Sequence, residues 1–264
     1  MQIGFIGLGN MATAMIGGIL KKGLVVPENI CGSAKSQATC KRVSEAFSIQ
    51  TCTDNAKTAA MSDILFLAVK PNLFPEIMAQ IGPVIRRETV IVSIAAGRTI
   101  AHMEEGLGSD KKLIRCMPNT PALVGEGCTG VCANKNVTRE ELEQVLTLLG
   151  TFGIAKEVPE RLMDAVVGVS GSSPAYVFMF IEAMADGAVA AGMPRKTAYD
   201  FAAQAVLGSA KMVLETGMHP AELKDMVCSP GGTTIEAVKV LEEKGFRGAV
   251  MSAMEACIDK SRNL

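Results

Sequence analysis

Gly7-Leu8-Gly9-Asn10-Met11-Ala12, close to the start of the chain, has the spacing of a turn that holds a diphosphate. It follows an apolar run that reads as a strand and opens a segment that reads as a helix, the setting in which a G-x-G-x-x-G/A pattern carries information. Gly7 permits the tight turn, Gly9 lets a pyrophosphate approach the backbone, and Ala12 keeps the helix close to the strand. The first-turn amides and the positive end of the helix dipole would face the phosphates. A glycine turn without a ligand is the alternative.

A dinucleotide fold reads the adenosine ribose at the end of its second strand, where an NAD enzyme usually places Asp or Glu. This chain has Gly32-Ser33-Ala34-Lys35-Ser36 there, and no acid before Glu45. Ser33 and Lys35 suit a 2′-phosphate, so NADP(H) is the expected cofactor and NAD(H) the second choice. A helix cap at Ser36 and a solvated lysine would account for the same residues. Three more strand ends, Ala68-Val69-Lys70-Pro71, Ser93-Ile94-Ala95-Ala96-Gly97 and Met117-Pro118-Asn119-Thr120-Pro121, complete the crevice. Ligands of open α/β sheets sit outside such ends, which makes Ala68, Val69, Lys70, Ala95, Ala96 and Asn119 cofactor or substrate contacts.

A second cluster lies far along the chain. Residues Val169 to Tyr176 read as a small polar loop ending in a Ser-Pro helix start, and the run from Leu223 stops at Ser229 and Pro230, turns at Gly231 and Gly232, and restarts at Thr233 and Thr234. Free amides at that restart, with the hydroxyls of Ser229 and Thr234, make a carboxylate cradle. A threonine capping a helix after a glycine turn is the alternative. Metal chemistry is not expected: Cys128 and Cys132 could supply half a site, but no second pair or histidine follows at ligand spacing. His102 and His219, the two histidines, fall outside every motif and read as surface or capping residues.

These residues must be positioned by regular elements. With 264 residues and a soft divisor of about 150 per domain, two domains are expected. Strand runs at 3–8, 29–33, 49–52, 64–69, 90–94 and 113–117 alternate with helices starting near Asn10, Ser36, Asn55, Asn72 and Thr99. That alternation predicts a doubly wound, Rossmann-like α/β domain over 1–160. It closes with a strand over 128–133, a helix marked by a Thr138/Glu141 capping box, and a strand over 155–158. From 161 to 264 only helices are expected, over 174–191, 194–215, 220–227, 232–243 and 246–260 after a short one at Asp164. Residues Ala175 to Ile181 are apolar on every face of their helix, so it must be buried. About 100 residues have too little interior for that, and a second subunit is expected to cover it, giving a homodimer or an assembly of dimers.

Composition narrows the partners. Lys plus Arg (26) nearly cancels Asp plus Glu (27), which argues against a nucleic-acid or acidic-membrane surface. Although 48% of residues are hydrophobic, the longest apolar stretch, Ala175 to Met193, carries Glu182 and Asp186, so no membrane span is expected. The start Met1-Gln2-Ile3-Gly4 lacks a basic region, and eight scattered cysteines are distributed as reduced thiols are; a cytoplasmic protein is expected.

Over nearly its whole length the chain resembles pyrroline-5-carboxylate reductase. The resemblance rests on residues 5–12, 68–71, 115–121 and 170–176, and above all on the stretch from Leu223 to Glu243, similar to that family's signature. Ser173 stands where the family pattern has Gly. The resemblance implies NAD(P)H-dependent reduction of 1-pyrroline-5-carboxylate to L-proline in an N-terminal Rossmann-like sheet followed by an all-α dimerisation domain. It places the nucleotide on the Gly7 loop, Ser33, Asn55, Val69, Lys70 and Ala96. It also places the substrate carboxylate and ring nitrogen on Ser229, Gly231, Gly232, Thr233 and Thr234, with Thr234 as the catalytic candidate and the cradle of one subunit facing its partner's nucleotide.

Imine reduction makes modest demands on side chains, because the nitrogen can be protonated near neutral pH and a bonded hydroxyl then suffices. Catalysis rests mainly on placing the imine carbon against the nicotinamide. A β-hydroxyacid dehydrogenase of similar plan would want a lysine in the helical domain, and none stands in the loop at Ser170. A dinucleotide-sensing scaffold, the third alternative, would have no use for the cradle.

Overall fold

Consecutive apolar residues mark strands covered on both faces. In the computed structural model, which describes residues 1–263, β1 (Ile3–Ile6), β2 (Ile30–Ser33), β4 (Ile64–Leu67) and β5 (Val90–Ser93) are buried at every position. With β3 (Gln50–Cys52), β6 (Lys112–Met117), β7 (Gly127–Ala133) and β8 (Gly153–Glu157) they form one sheet in the order β3-β2-β1-β4-β5-β6-β7-β8. All neighbours are parallel except β6 and β7, so β7 and β8 run against the rest. The order in which the chain adds strands reverses between β1 and β4, which stay parallel, and this is the switch point at which such sheets take their ligands.

Alternate residues of each strand feed two cores. Ile3, Phe5, Phe66 and Val92 face α1 (Asn10–Lys21), α2 (Gln37–Phe47) and α6 (Arg139–Leu149), while Ile6, Leu65, Leu67 and Ile91 face α3 (Asn55–Met61), α4 (Phe74–Ile81) and α5 (Ile100–Leu107). The rings of Phe5 and Phe66 stack at 4.9 Å across β1 and β4. Helix starts follow their caps: Ser36, Asp54 and Thr99 each accept an amide, and Thr138 and Glu141 close the expected box. The start near Asn72 moves to Phe74, because Pro71–Leu73 form a 3₁₀ turn first. All eight cysteines are free thiols, and burial pushes Cys132 up to about 12.

Past β8 the expected division near residue 160 meets a different arrangement. Two compact units form, one of residues 1–172 with the helical residues from Cys257 to Arg262, the other of Ser173–Ala256. A short helix, α7 (Met163–Val166), stays with the sheet because Met163 is buried in the second core. The segment expected to be a polar loop is instead a π-helical turn over Val167–Gly171. The helical run 160–190 is long and apolar enough, by length and composition alone, to cross a membrane, although Glu182 and Asp186 interrupt it.

The second unit holds α8 (Ser173–Ala190), α9 (Arg195–Thr216), α10 (Pro220–Val227), α11 (Thr233–Glu243) and most of α12 (Phe246–Arg262). Its only buried core cluster among the described residues is Ala185, Ala198 and Ala202, where α8 meets α9, and Ala188 packs on it. Asp186 pairs with Arg195 at the turn between them. Meanwhile Phe178 (63%), Met179 (69%), Phe201 (67%) and Leu214 (75%) stand exposed. Large apolar side chains exposed in such number are what an interaction surface leaves on a single chain.

Candidate active site

The glycine-rich turn is tightly specified. Gly7 has φ +93°, and a Cβ there would lie 2.5 Å from the carbonyl oxygen of Ala68, so backbone conformation and the neighbouring strand both demand glycine. Over Gly9 nothing lies within 4 Å of where a Cβ would stand, which leaves room for a ligand against the backbone. Gly9 is the N-cap of α1 and offers no side chain, so the first-turn amides remain available to an anion. Leu8 and Ala12 are buried and pack the loop onto the sheet. Arg42, absent from the sequence expectations, reaches back from α2 and donates to the Leu8 carbonyl at 3.2 Å.

A crevice of about 280 Å³ opens beside this turn and brings together Gly7, Ser33, Lys35, Asn55 and Val69. Ser33, fully buried, donates to Asn55 Oδ1 at 2.7 Å. Lys35 is exposed and makes no hydrogen bond or ion pair among the described residues, leaving its ammonium free for a phosphate. Glu76 and Gln80 of α4 line the same crevice and were not foreseen. Asp54, as the α3 cap, accepts the Lys57 amide at 3.0 Å and so fixes the helix start that presents Asn55.

Two neighbouring positions come out differently from expectation. Ala95 turns its side chain into the core, because the pleat alternates at the end of β5, and half-buried Ala96 is the neighbour left at the loop surface. Asn119 is buried with its carboxamide engaged: its Oδ1 accepts the Cys128 amide at 2.8 Å, and its Nδ2 donates to the Ser170 carbonyl at 3.0 Å. It thus braces β7 and the π turn. Arg98 donates to the Pro71 carbonyl at 3.0 Å and lies 3.3 Å from His102 Nε2, tying the loop after β5 to the loop after β4. His219 caps α10, its Nδ1 accepting the Ala221 amide.

In the helical unit the second cluster keeps its expected shape. Gly231 has φ +67°, the left-handed conformation glycine adopts at little cost, and Gly232 donates back to the Ser229 carbonyl at 3.0 Å. Gly232, not a threonine, is the N-cap of α11, so Thr233 and Thr234 occupy its first helical positions. With no side chain capping that end, its amides are open to an anion. The hydroxyls of Ser229, Thr233 and Thr234 make no hydrogen bond among the described residues.

Comparison with known proteins agrees with both halves. Residues 160–264 match the family model described as pyrroline-5-carboxylate reductase dimerisation, and residues 2–97 match that of the NADP oxidoreductase, coenzyme F420-dependent. The pyrroline-5-carboxylate reductase of Escherichia coli is 53% identical over 263 residues, covering 100% of this chain and 98% of that enzyme. The Methanosarcina acetivorans enzyme of the same name is 47% identical, covering 100% and 97%. Among solved structures, the Coxiella burnetii pyrroline-5-carboxylate reductase superposes with a TM-score of 0.94 at 32% identity, covering 99% and 97%. The Plasmodium falciparum pyrroline carboxylate reductase, solved with NADP bound, gives 0.89 at 34% identity with the same coverage.

Proposed function

The chain belongs to the pyrroline-5-carboxylate reductase family, and from that premise we propose how its residues carry out the NADPH-dependent reduction of 1-pyrroline-5-carboxylate to L-proline. Bound NADPH supplies the hydride that reduces the C=N carbon. The Gly7 turn and the start of α1 hold the pyrophosphate through backbone amides, and Lys35 meets the 2′-phosphate. Val69, Lys70 and Ala96 wall the rest of the nucleotide.

The observation that carries the substrate half is the uncapped start of α11. Its amides, with the hydroxyls of Ser229 and Thr233, receive the carboxylate. Thr234 hydrogen-bonds the ring nitrogen and holds the imine in place while that nitrogen carries its proton. Rate enhancement comes mainly from orientation, since a protonated imine accepts hydride without a strong acid nearby. The apolar face of the helical unit packs on a second copy, making a homodimer in which the cradle of one subunit serves the nucleotide of its partner. The reading places the enzyme in the cytoplasm, where unpaired thiols stay reduced and reduced nucleotide is at hand.

NADPH oxidation on addition of 1-pyrroline-5-carboxylate tests the activity, and Thr234→Ala tests the cradle. Losing a hydrogen bond to the protonated nitrogen costs about 1.5–3 kcal/mol, so kcat/KM for the imine should fall at least on the order of tenfold with NADPH affinity unchanged. A fall in NADPH affinity instead would move Thr234 to the nucleotide site.

A further inference from the structure

The end of β2 lacks the acid with which NAD-binding folds hold the adenosine ribose, yet an acid stands in the same crevice from another element. Glu76, in the first turn of α4, lines the cavity together with Lys35. Three hydrogen bonds join the end of β2 to its carboxylate. Ser33 Oγ donates to Asn55 Oδ1 at 2.7 Å, Asn55 Nδ2 donates to Gln80 Oε1 at 2.7 Å, and Gln80 Nε2 donates to Glu76 Oε1 at 3.1 Å.

The far end of this chain fixes its direction. A carboxylate only accepts, so Gln80 must turn its NH₂ to Glu76 and its oxygen to Asn55, and Asn55 in turn presents its oxygen to the Ser33 hydroxyl. Glu76 Oε1 is thereby occupied, while Oε2 has no partner among the described residues and remains an acceptor.

We infer that Glu76 is a specificity-determining residue for the nucleotide: its free oxygen accepts from a ribose hydroxyl of NADH and repels the 2′-phosphate of NADPH. The crevice then carries a cation suited to one nucleotide and an acid suited to the other. Gln80 is the positioning residue that keeps the acid on the cavity wall. This rests on the crevice being the adenosine end of the nucleotide site, as proposed above.

The test is KM for NADPH and for NADH, each with saturating 1-pyrroline-5-carboxylate, in the wild type, Glu76→Gln, Gln80→Leu and Asn55→Ala. Glu76 and Gln80 are exposed, so their substitution leaves the fold intact. Glu76→Gln should raise KM for NADH about threefold to tenfold and lower KM for NADPH. Gln80→Leu should move the ratio the same way by a smaller factor, because the charge stays but is no longer held; a ratio at the wild-type value would remove Gln80 from the mechanism. If Glu76→Gln leaves the ratio unchanged while Asn55→Ala weakens both nucleotides, the inference about Glu76 is overturned and the crevice still holds the nucleotide. If Asn55→Ala changes neither KM, the assignment of the crevice fails and the inference with it.

Discussion

Lys35 stands exposed at the end of β2 with its ammonium free, so its contribution to nucleotide binding is a solvent-screened, charge-assisted contact. At the lower end for bonds to charged groups, about 1.5 kcal/mol, its reversal in Lys35→Glu should raise KM for NADPH on the order of tenfold. NADH should suffer less; equal losses for both nucleotides, seen in parallel steady-state assays, would detach Lys35 from the 2′-phosphate. Gly7, Ser33 and Val69 could be placed beside the crevice from the sequence because strand ends fix which residues border it. Ala95 and Ala96 show the limit of that logic, since one step along the pleat decides between core and loop surface. Glu76, Gln80 and Arg42 left no such trace: each reaches its site from a helix, and for Glu76 and Gln80 the face depends on where α4 starts after the 3₁₀ turn at Pro71–Leu73.

The sheet's own elements are tied together by polar contacts at their starts. Asp63, just before β4, accepts the Gln2 amide at 2.7 Å and the Arg86 guanidinium at 2.7 Å, so it fastens the entrance of β1 to that of β4. The Gln2 amide, with the nearby arginine, holds its carboxyl below the usual range. A depressed pKa in the folded state means that the contribution is complete at neutral pH and is lost as pH falls below the unfolded value of about 3.9 and through the folded one. Asp63→Asn should therefore lower Tm by a few degrees at pH 7, and the gap to wild type should close toward pH 2 in thermal melts. A gap that persists in acid would assign the loss to packing. Strands and capped helices were legible because continuous apolar runs and residues such as Thr138 and Glu141 carry their own boundaries. The π turn at 167–171 was not, since one extra residue in a turn leaves no periodic mark.

For the whole molecule the uncovered helices set the terms. The all-apolar start of α8 announced a partner in the sequence, whereas of the residues after it Ala185 and Ala188 meet α9 of their own chain and Met184 stays exposed. Met184→Glu is therefore the cleaner probe of the subunit contact, because a charge at Ala188 would also split the α8–α9 pair. A carboxylate buried there without a partner costs several kcal/mol, so sedimentation should show monomers and turnover should vanish with the dimer. A folded monomer with full activity would place the complete site in one chain. With three buried alanines as its core, the helical unit of the proposed homodimer is expected to fold only as two chains meet. The protein has no tryptophan, and both of its tyrosines, Tyr176 and Tyr199, lie in that unit. Tyrosine emission during refolding thus reports on assembly alone, with a half-time that shortens as protein concentration rises, while the sheet unit folds unseen at a rate indifferent to it.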